Sequence, residues 1–385
     1  MTCSNSQHLN DHSGRDKFRH APMGPRGLPV NLIIFTNKQY RHDFRKYLMR
    51  VVERSGAKAL HFSARDKLIL SWAGAERAEY STNCDPHELR QIIEDYLQPG
   101  PILGLTGLGG TRLDDPGAVI ATDLHQELSN VHWIYDVYDD LLFAASGSER
   151  VRRLLADAVW RCRCEHSIIL DPDLRSRYPA AHHLDNASHV EHLPSVATVD
   201  VRRMVYIGSL DSRVDYEWLD ALAANDVTID IFGSAHVIGA VQTEQQLNAL
   251  IQRRNNVEFR GPYDNDDLPA MLSKFRVGLL PYHVNDPMTE HVNPDKLHHY
   301  LNAGLKVVAS PIPAARRLKR YLHLATTSGD WAAVLSDLRT SRPEEQWPRG
   351  SYTWDRRWAE LVDLALPGEA PPAHRLGRGR PISTK

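Results

Sequence analysis

Cysteine is scarce in this chain: Cys3, Cys84, Cys162 and Cys164 are the only four among 385 residues. Their spacing makes no disulfide framework. Cys162-Arg-Cys164-Glu-His166 supplies too few ligands for a closed zinc site, so reduced structural cysteines are expected. A charge excess is also missing. With 46 basic and 48 acidic residues the formal net charge is −2, which gives no bulk attraction to a polyanion. No apolar run approaches the ~18 to 20 residues that cross a bilayer, and residues 1–29 lack the apolar core of a secretory signal. A cytoplasmic protein without a transmembrane segment is expected.

At 42% apolar residues over 385 positions, the chain is long enough for two domains with separate cores. Residues 1–29 read as a disordered arm. Val30 to Thr36 reads as a buried strand, followed by a helix with Phe44, Leu48, Val51 and Val52 on one face. The other face carries Arg41, Arg45, Lys46, Arg50 and Arg54. Two readings stay open for it, a solvated face or a contact with an anionic acceptor, assigned to Arg41 and Arg45. Asp85-Pro86 opens a helix, with Asp as cap and Pro in its first turn. Pro101 to Gly110 reads as a strand entering a glycine-rich turn. Val131 to Tyr135 is a strand ending in Asp136-Val-Tyr-Asp139-Asp140, three carboxylates where a general base at the mouth of a sheet would stand; helix capping is the alternative. Ser146 to Glu149 has capping-box spacing. Alternating strands and helices resume at Met204 to Leu210, and the strand there delivers Gly208 and Ser209 into a tight turn.

The most informative stretch is Asn293-Pro-Asp-Lys-Leu-His-His-Tyr-Leu-Asn-Ala-Gly304. Pro294 suits a first helical turn, Leu297, Tyr300 and Leu301 recur at helical spacing, and Gly304 suits a left-handed stop. Asn293, Lys296 and His299 gather where a helix N-terminus favours anions.

From Gly278 to Ser310 the chain resembles the donor-nucleotide signature of bacterial glycosyltransferases of the GT-B fold, in the flavour of the polysaccharide-assembling, xanthan-type glucuronosyltransferases. Two positions depart from that pattern. His299 replaces a ribose-binding Glu, and Lys306 replaces the Pro before Val-Val. The resemblance implies an α/β architecture of two Rossmann-like domains facing across a cleft, with a C-terminal helix crossing back to the first. The boundaries expected are 30–192 for the acceptor domain, 193–201 for the linker, 202–350 for the nucleotide-sugar domain, 351–370 for the crossover helix and 371–385 for a basic tail. It also implies a nucleotide-sugar site of Gly208, Ser209, Arg213, Gly233, Tyr263, Asn293, Lys296 and His299, with a UDP-sugar as donor and no cofactor. Asn186 matches a further family element.

By the same resemblance Asp139 is the base, supported by Asp136 and Asp140. Transfer with inversion is expected, since one base suffices and no covalent nucleophile stands out. No metal is expected, because no Asp-x-Asp motif is read at a cleft position. The acceptor implied is a glycan or lipid-linked sugar met at the inner membrane face, with peripheral membrane contact. A second acceptor reading is DNA: Arg378-Gly-Arg-Pro381 resembles the core of an AT-hook, which enters the minor groove of A·T-rich duplexes. A third is a non-catalytic nucleotide-sugar-binding protein on the same scaffold.

Overall fold

The computed structural model describes residues 28–40, 43–72, 75–80, 85–109, 111–138, 145–193, 200–234, 240–329, 331–341 and 343–367. Arg41, Asp139, Asp140, Cys3, Cys84, Gly110, most of the expected linker and arm, and the whole basic tail lie outside them.

The first apolar run forms β1 (Asn31–Thr36), buried at every position. A strand covered on both faces is what the middle of a parallel sheet requires. β1 pairs in parallel with β2 (Ala59–Ala64) on one side and β5 (Ile102–Thr106) on the other. Antiparallel β3 (Leu68–Trp72) and β4 (Ala75–Tyr80) extend the sheet past β2; β6 (Val131–Val137), β7 (His166–Ile169) and β8 (His182–His183) extend it in parallel past β5. Residues alternate along β1. Ile33 and Phe35 enter a core with Phe62, Trp133 and Trp160. Leu32 and Ile34 enter another with Leu48 and Val52 of the Lys46–Arg54 helix.

The second sheet is wholly parallel, in the order β11 (Val257–Gly261), β10 (Thr228–Phe232), β9 (Arg203–Ile207), β12 (Val277–Leu280), β13 (Lys306–Ala309), β14 (His323–Leu324). The chain then returns. Trp354, Trp358, Leu361, Val362 and Ala365 of the Trp354–Ala365 helix pack into the core of Leu32, Ile34 and Leu48 on the first sheet. Burying such side chains contributes roughly 1.5–3 kcal/mol each, so the crossing helix is an integral part of the first domain.

Local chemistry bears on three of the expectations. The helix after Ser146 forms over Gly147–Arg163, yet the Ser146 side chain makes no cap hydrogen bond; Glu149 turns to Arg153 at 2.9 Å instead. Asp85 does cap its helix, accepting from the His87 amide at 2.9 Å. Lys306, in the place of a proline, is buried in β13, and its ammonium donates to the carbonyls of Leu338 and Ser341. Those carbonyls end the Trp331–Thr340 helix, where a cation is stabilising. Among the described residues no helix is long and apolar enough to cross a membrane.

Candidate active site between the two sheets

Between the domains lies a cavity of about 520 Å³. Its walls are the segments leaving the C-terminal ends of parallel strands: Lys38 after β1 and Tyr138 after β6 on one side, Gly208 after β9, Gly233 after β10, Tyr263 after β11 and Tyr282 after β12 on the other. Ligands of open α/β sheets collect at this edge, where the strand order reverses; in the second sheet that point falls between β9 and β12.

One helix dominates the second wall. Asp295–Ala303 is held to its sheet by Tyr300, whose ring covers Gly278 so closely that a β-carbon there would lie 2.4 Å from it. The Tyr300 hydroxyl accepts from the Ile207 amide at 2.9 Å. Gly304 ends the helix at φ 84°, the left-handed stop expected of it. So anchored, the helix presents Lys296. Its ammonium donates to the Tyr206 hydroxyl at 3.0 Å and lies 4.2 Å from the centre of that ring and 5.0 Å from that of Tyr282. Tyr206 in turn donates to the Ser209 carbonyl at 2.7 Å, which fixes the turn after β9. Burial holds the Tyr206 phenol far above its ordinary range, hence neutral.

Around Lys296 the polar groups are unequal. Arg213 lines the cavity but is paired with buried Asp211, its Nε 2.9 Å from Oδ1. Against burial, that guanidinium holds Asp211 below the usual carboxylate range. Asp295 also faces the cavity; burial raises its carboxyl, while His299 and Lys296 bring the balance below the ordinary value.

Several expected site residues are employed elsewhere. Arg45 is buried, donating to Asp136 at 2.7 and 3.0 Å and to Asp43 at 3.3 Å, so it offers nothing to an acceptor. Asp136 is enclosed by Arg45 and by Arg357 of the crossing helix at 3.8 Å, with 2% of its side chain exposed, and no acceptor hydroxyl reaches it. On the rest of the basic face, Arg50 bridges to the second domain, forking onto Asp266 at 2.8 and 3.0 Å, and Arg54 meets Asp355 of the crossing helix at 3.0 Å. His299 is not among the residues lining the cavity; its Nδ1 is 2.8 Å from the Ser188 Oγ and its Nε2 3.9 Å from Asp295, and burial lowers its pKa, so it is neutral. The Asn293 amide donates to Leu170 and Asp185 of the first domain at 3.0 and 3.1 Å. The Gly208 amide serves the sheet, donating to the Phe232 carbonyl at 3.1 Å. Phe44 precedes its helix and lines the cavity. An Asp-x-Asp triplet does reach the cleft as Asp264-Asn265-Asp266, but Asp266 is taken by Arg50 and Tyr47. Among the described residues no three His, Cys, Asp or Glu side chains gather as metal ligands.

Lys38, Tyr138, Tyr206, Tyr282 and Asp295 belong to the site without having been singled out from the sequence. For Tyr282 and Asp295 the signal was present, since both lie inside the signature stretch, and Tyr138 lies inside the Asp136–Asp140 stretch; Lys38 sits in a loop without a motif.

No family model matches the chain. Over 127 residues it is 27% identical to the teichuronic acid biosynthesis glycosyltransferase TuaH of Bacillus subtilis (strain 168), a match spanning 32% of this chain and 30% of that protein. Sucrose-phosphate synthase from Thermosynechococcus elongatus superposes with a TM-score of 0.58 at 14% identity, over 88% of this chain and 94% of that one. An alpha-glucosyltransferase in complex with UDP and a 13-mer DNA containing an HMU base superposes at 0.55 and 11% identity, over 87% and 95% of the two chains. The chain has the GT-B fold of these glycosyltransferases.

Proposed function

We propose that this protein is a glycosyltransferase that moves a sugar from a UDP-sugar to an acceptor hydroxyl with inversion. The observation that carries the reading is the seating of Lys296 against Gly208 at the N-terminal end of the Asp295–Ala303 helix, facing the cavity between the sheets. A departing diphosphate needs positive charge and donors that are in place before the bond breaks, worth about 3–4 kcal/mol per well-placed group. Lys296, the helix end, Arg213 and Ser209 supply them. The alpha-glucosyltransferase that superposes on this chain is in complex with UDP, which supports that nucleotide here.

Asp139, the next residue but one after β6, is the general base in this reading. Asp136 instead anchors the strand that leads to it, through Arg45 and Arg357. The acceptor is a glycan or lipid-linked sugar, in keeping with the teichuronic acid biosynthesis of the Bacillus relative, met by peripheral contact with the membrane. The DNA in complex with the alpha-glucosyltransferase favours a second reading. That reading keeps the tail but loses the basic helix, whose Arg50 and Arg54 are spent on Asp266 and Asp355.

A scan of UDP, GDP and TDP sugars for transfer or hydrolysis tests the proposal. Turnover with UDP-sugars, lowered roughly 10²-fold or more by Asp139→Asn with UDP affinity kept, is the expected result. Undiminished turnover in that variant removes Asp139 from the mechanism, and inertness toward every donor leaves a binding protein.

A further inference from the structure

Opposite Lys296, the first-domain wall of the cavity is made, among the described residues, by Lys38, Phe44 and Tyr138. Lys38 is the one cation of these three. The Lys38 ammonium stands 4.5 Å from the centre of the Tyr138 ring and 5.4 Å from that of Phe44. The rings themselves stack at 4.5 Å, backed by Trp354 of the crossing helix at 5.6 Å. An aromatic brace positions an ammonium without neutralising it, because a ring offers a quadrupole and no counter-charge. Carboxylates near Lys38 are already committed. Asp43 is bonded by Arg45 and by His61 at 3.1 Å, and Asp295 stands on the far wall. No described carboxylate forms an ion pair with Lys38. Among the described residues, then, this half-buried cation on the cavity wall has no ion-pair partner, and an anion entering the cavity would supply one.

The two phosphates of a leaving nucleotide do not need Lys38. They have Lys296, Arg213 and the helix end on the second wall, whereas Lys38 sits beside Tyr138, the residue before Asp139. With Asp139 as the base, as proposed above, that is the side from which the acceptor hydroxyl would approach the transferred sugar. Resting on the glycosyl-transfer reading, we infer that Lys38 binds an additional anionic group, a carboxylate or phosphate carried either by the transferred sugar or by the acceptor. Lys38 is then a specificity-determining residue. A charge-assisted hydrogen bond of this kind gives a preference of about tenfold or more, and the neutral analogue leaves the ammonium unpaired.

Calorimetry on the full chain and on Lys38→Gln separates the cases. UDP alone should bind both proteins within about twofold, since the diphosphate belongs to the other wall. If the anion rides on the donor, UDP-glucuronate binds the wild type about tenfold tighter than UDP-glucose, and Lys38→Gln abolishes the difference. If it rides on the acceptor, glucose 1-phosphate added to the UDP-saturated protein binds where methyl glucoside does not, and the variant loses it. Lys38→Arg should retain part of either preference. The inference is overturned if charged and neutral probes bind alike, or if Lys38→Gln weakens UDP itself as strongly. It is overturned in favour of nucleic acid if a DNA duplex, and neither sugar probe, depends on Lys38. Failure of the wild type to bind UDP at all sinks the parent reading, and this one with it.

Discussion

The ammonium of Lys296 occupies the space that a side chain on Gly208 would need: a β-carbon on Gly208 would lie 2.5 Å from Nζ and 2.9 Å from Cε. Gly208 also has φ 123°, outside the range comfortable for other residues. Gly208→Ala should therefore push Lys296 off Tyr206 and weaken UDP binding about tenfold or more, the scale of one lost charge-assisted contact. Its circular dichroism spectrum should stay that of the wild type. Unchanged affinity would mean that the glycine serves only the turn.

Arg45 makes a prediction about stability rather than activity. Its guanidinium sits between Asp43 and Asp136, with 3%, 0% and 2% of the three side chains exposed. Removing one partner of such a buried set leaves charge uncompensated and typically costs about 3–5 kcal/mol. Arg45→Ala should lose that much in a denaturant titration. A loss under about 1 kcal/mol, the scale of an exposed pair, would show that the set is well hydrated.

Asp266 is the reverse case. It accepts from Tyr47 at 2.9 Å and from Arg50 at 2.8 Å across the domains, yet 45% of its side chain and 45% of that of Arg50 are exposed. Exposed pairs contribute roughly 0–1 kcal/mol, so Asp266→Ala should barely change the melting temperature. Its effect should appear in the cleft, as a larger radius of gyration in solution scattering without ligand. An identical scattering curve would assign closure to the other interdomain bonds, such as Asn293 to Leu170.

Acid should loosen the same interface. His189 stacks on Tyr47 with ring centres 3.7 Å apart and donates from Nε2 to the Asn265 carbonyl at 2.8 Å. Burial and the nearby His299 push its pKa from 6.5 down to about 3. The unfolded chain thus binds a proton that the folded one refuses. Stability is complete above the unfolded pKa of about 6.5 and falls as pH drops toward the folded value. His125 and His298, each lowered by burial to about 4, act in the same direction. The melting temperature should decline between pH 7.5 and 5, less steeply in His189→Gln. A midpoint that rises on acidification contradicts the assignment.

Much of this was written in local pattern. An apolar run marked β1 as a buried strand, and Gly304 marked the end of the helix that carries Lys296, because a left-handed stop is a local requirement. Roles decided by distant partners were not visible. Arg45 reads like its solvated neighbours until Asp136, far along the chain, is brought beside it. Asn293 reads as a ligand contact and does line the cavity, but nothing in the sequence shows that its amide spans to Leu170. Lys38 belongs to no motif, and Tyr138 stands between the carboxylates that drew the reading; only the meeting of the ends of β1 and β6 makes the two a wall.

In the proposed reading a nucleotide diphosphate is gripped by Lys296 beside Gly208. Calorimetric titration of UDP into the wild type and into Lys296→Ala tests it most directly. Saturable binding by the wild type and an affinity at least about tenfold weaker in the variant are expected, with both proteins melting alike. Equal affinity in the two proteins would contradict it.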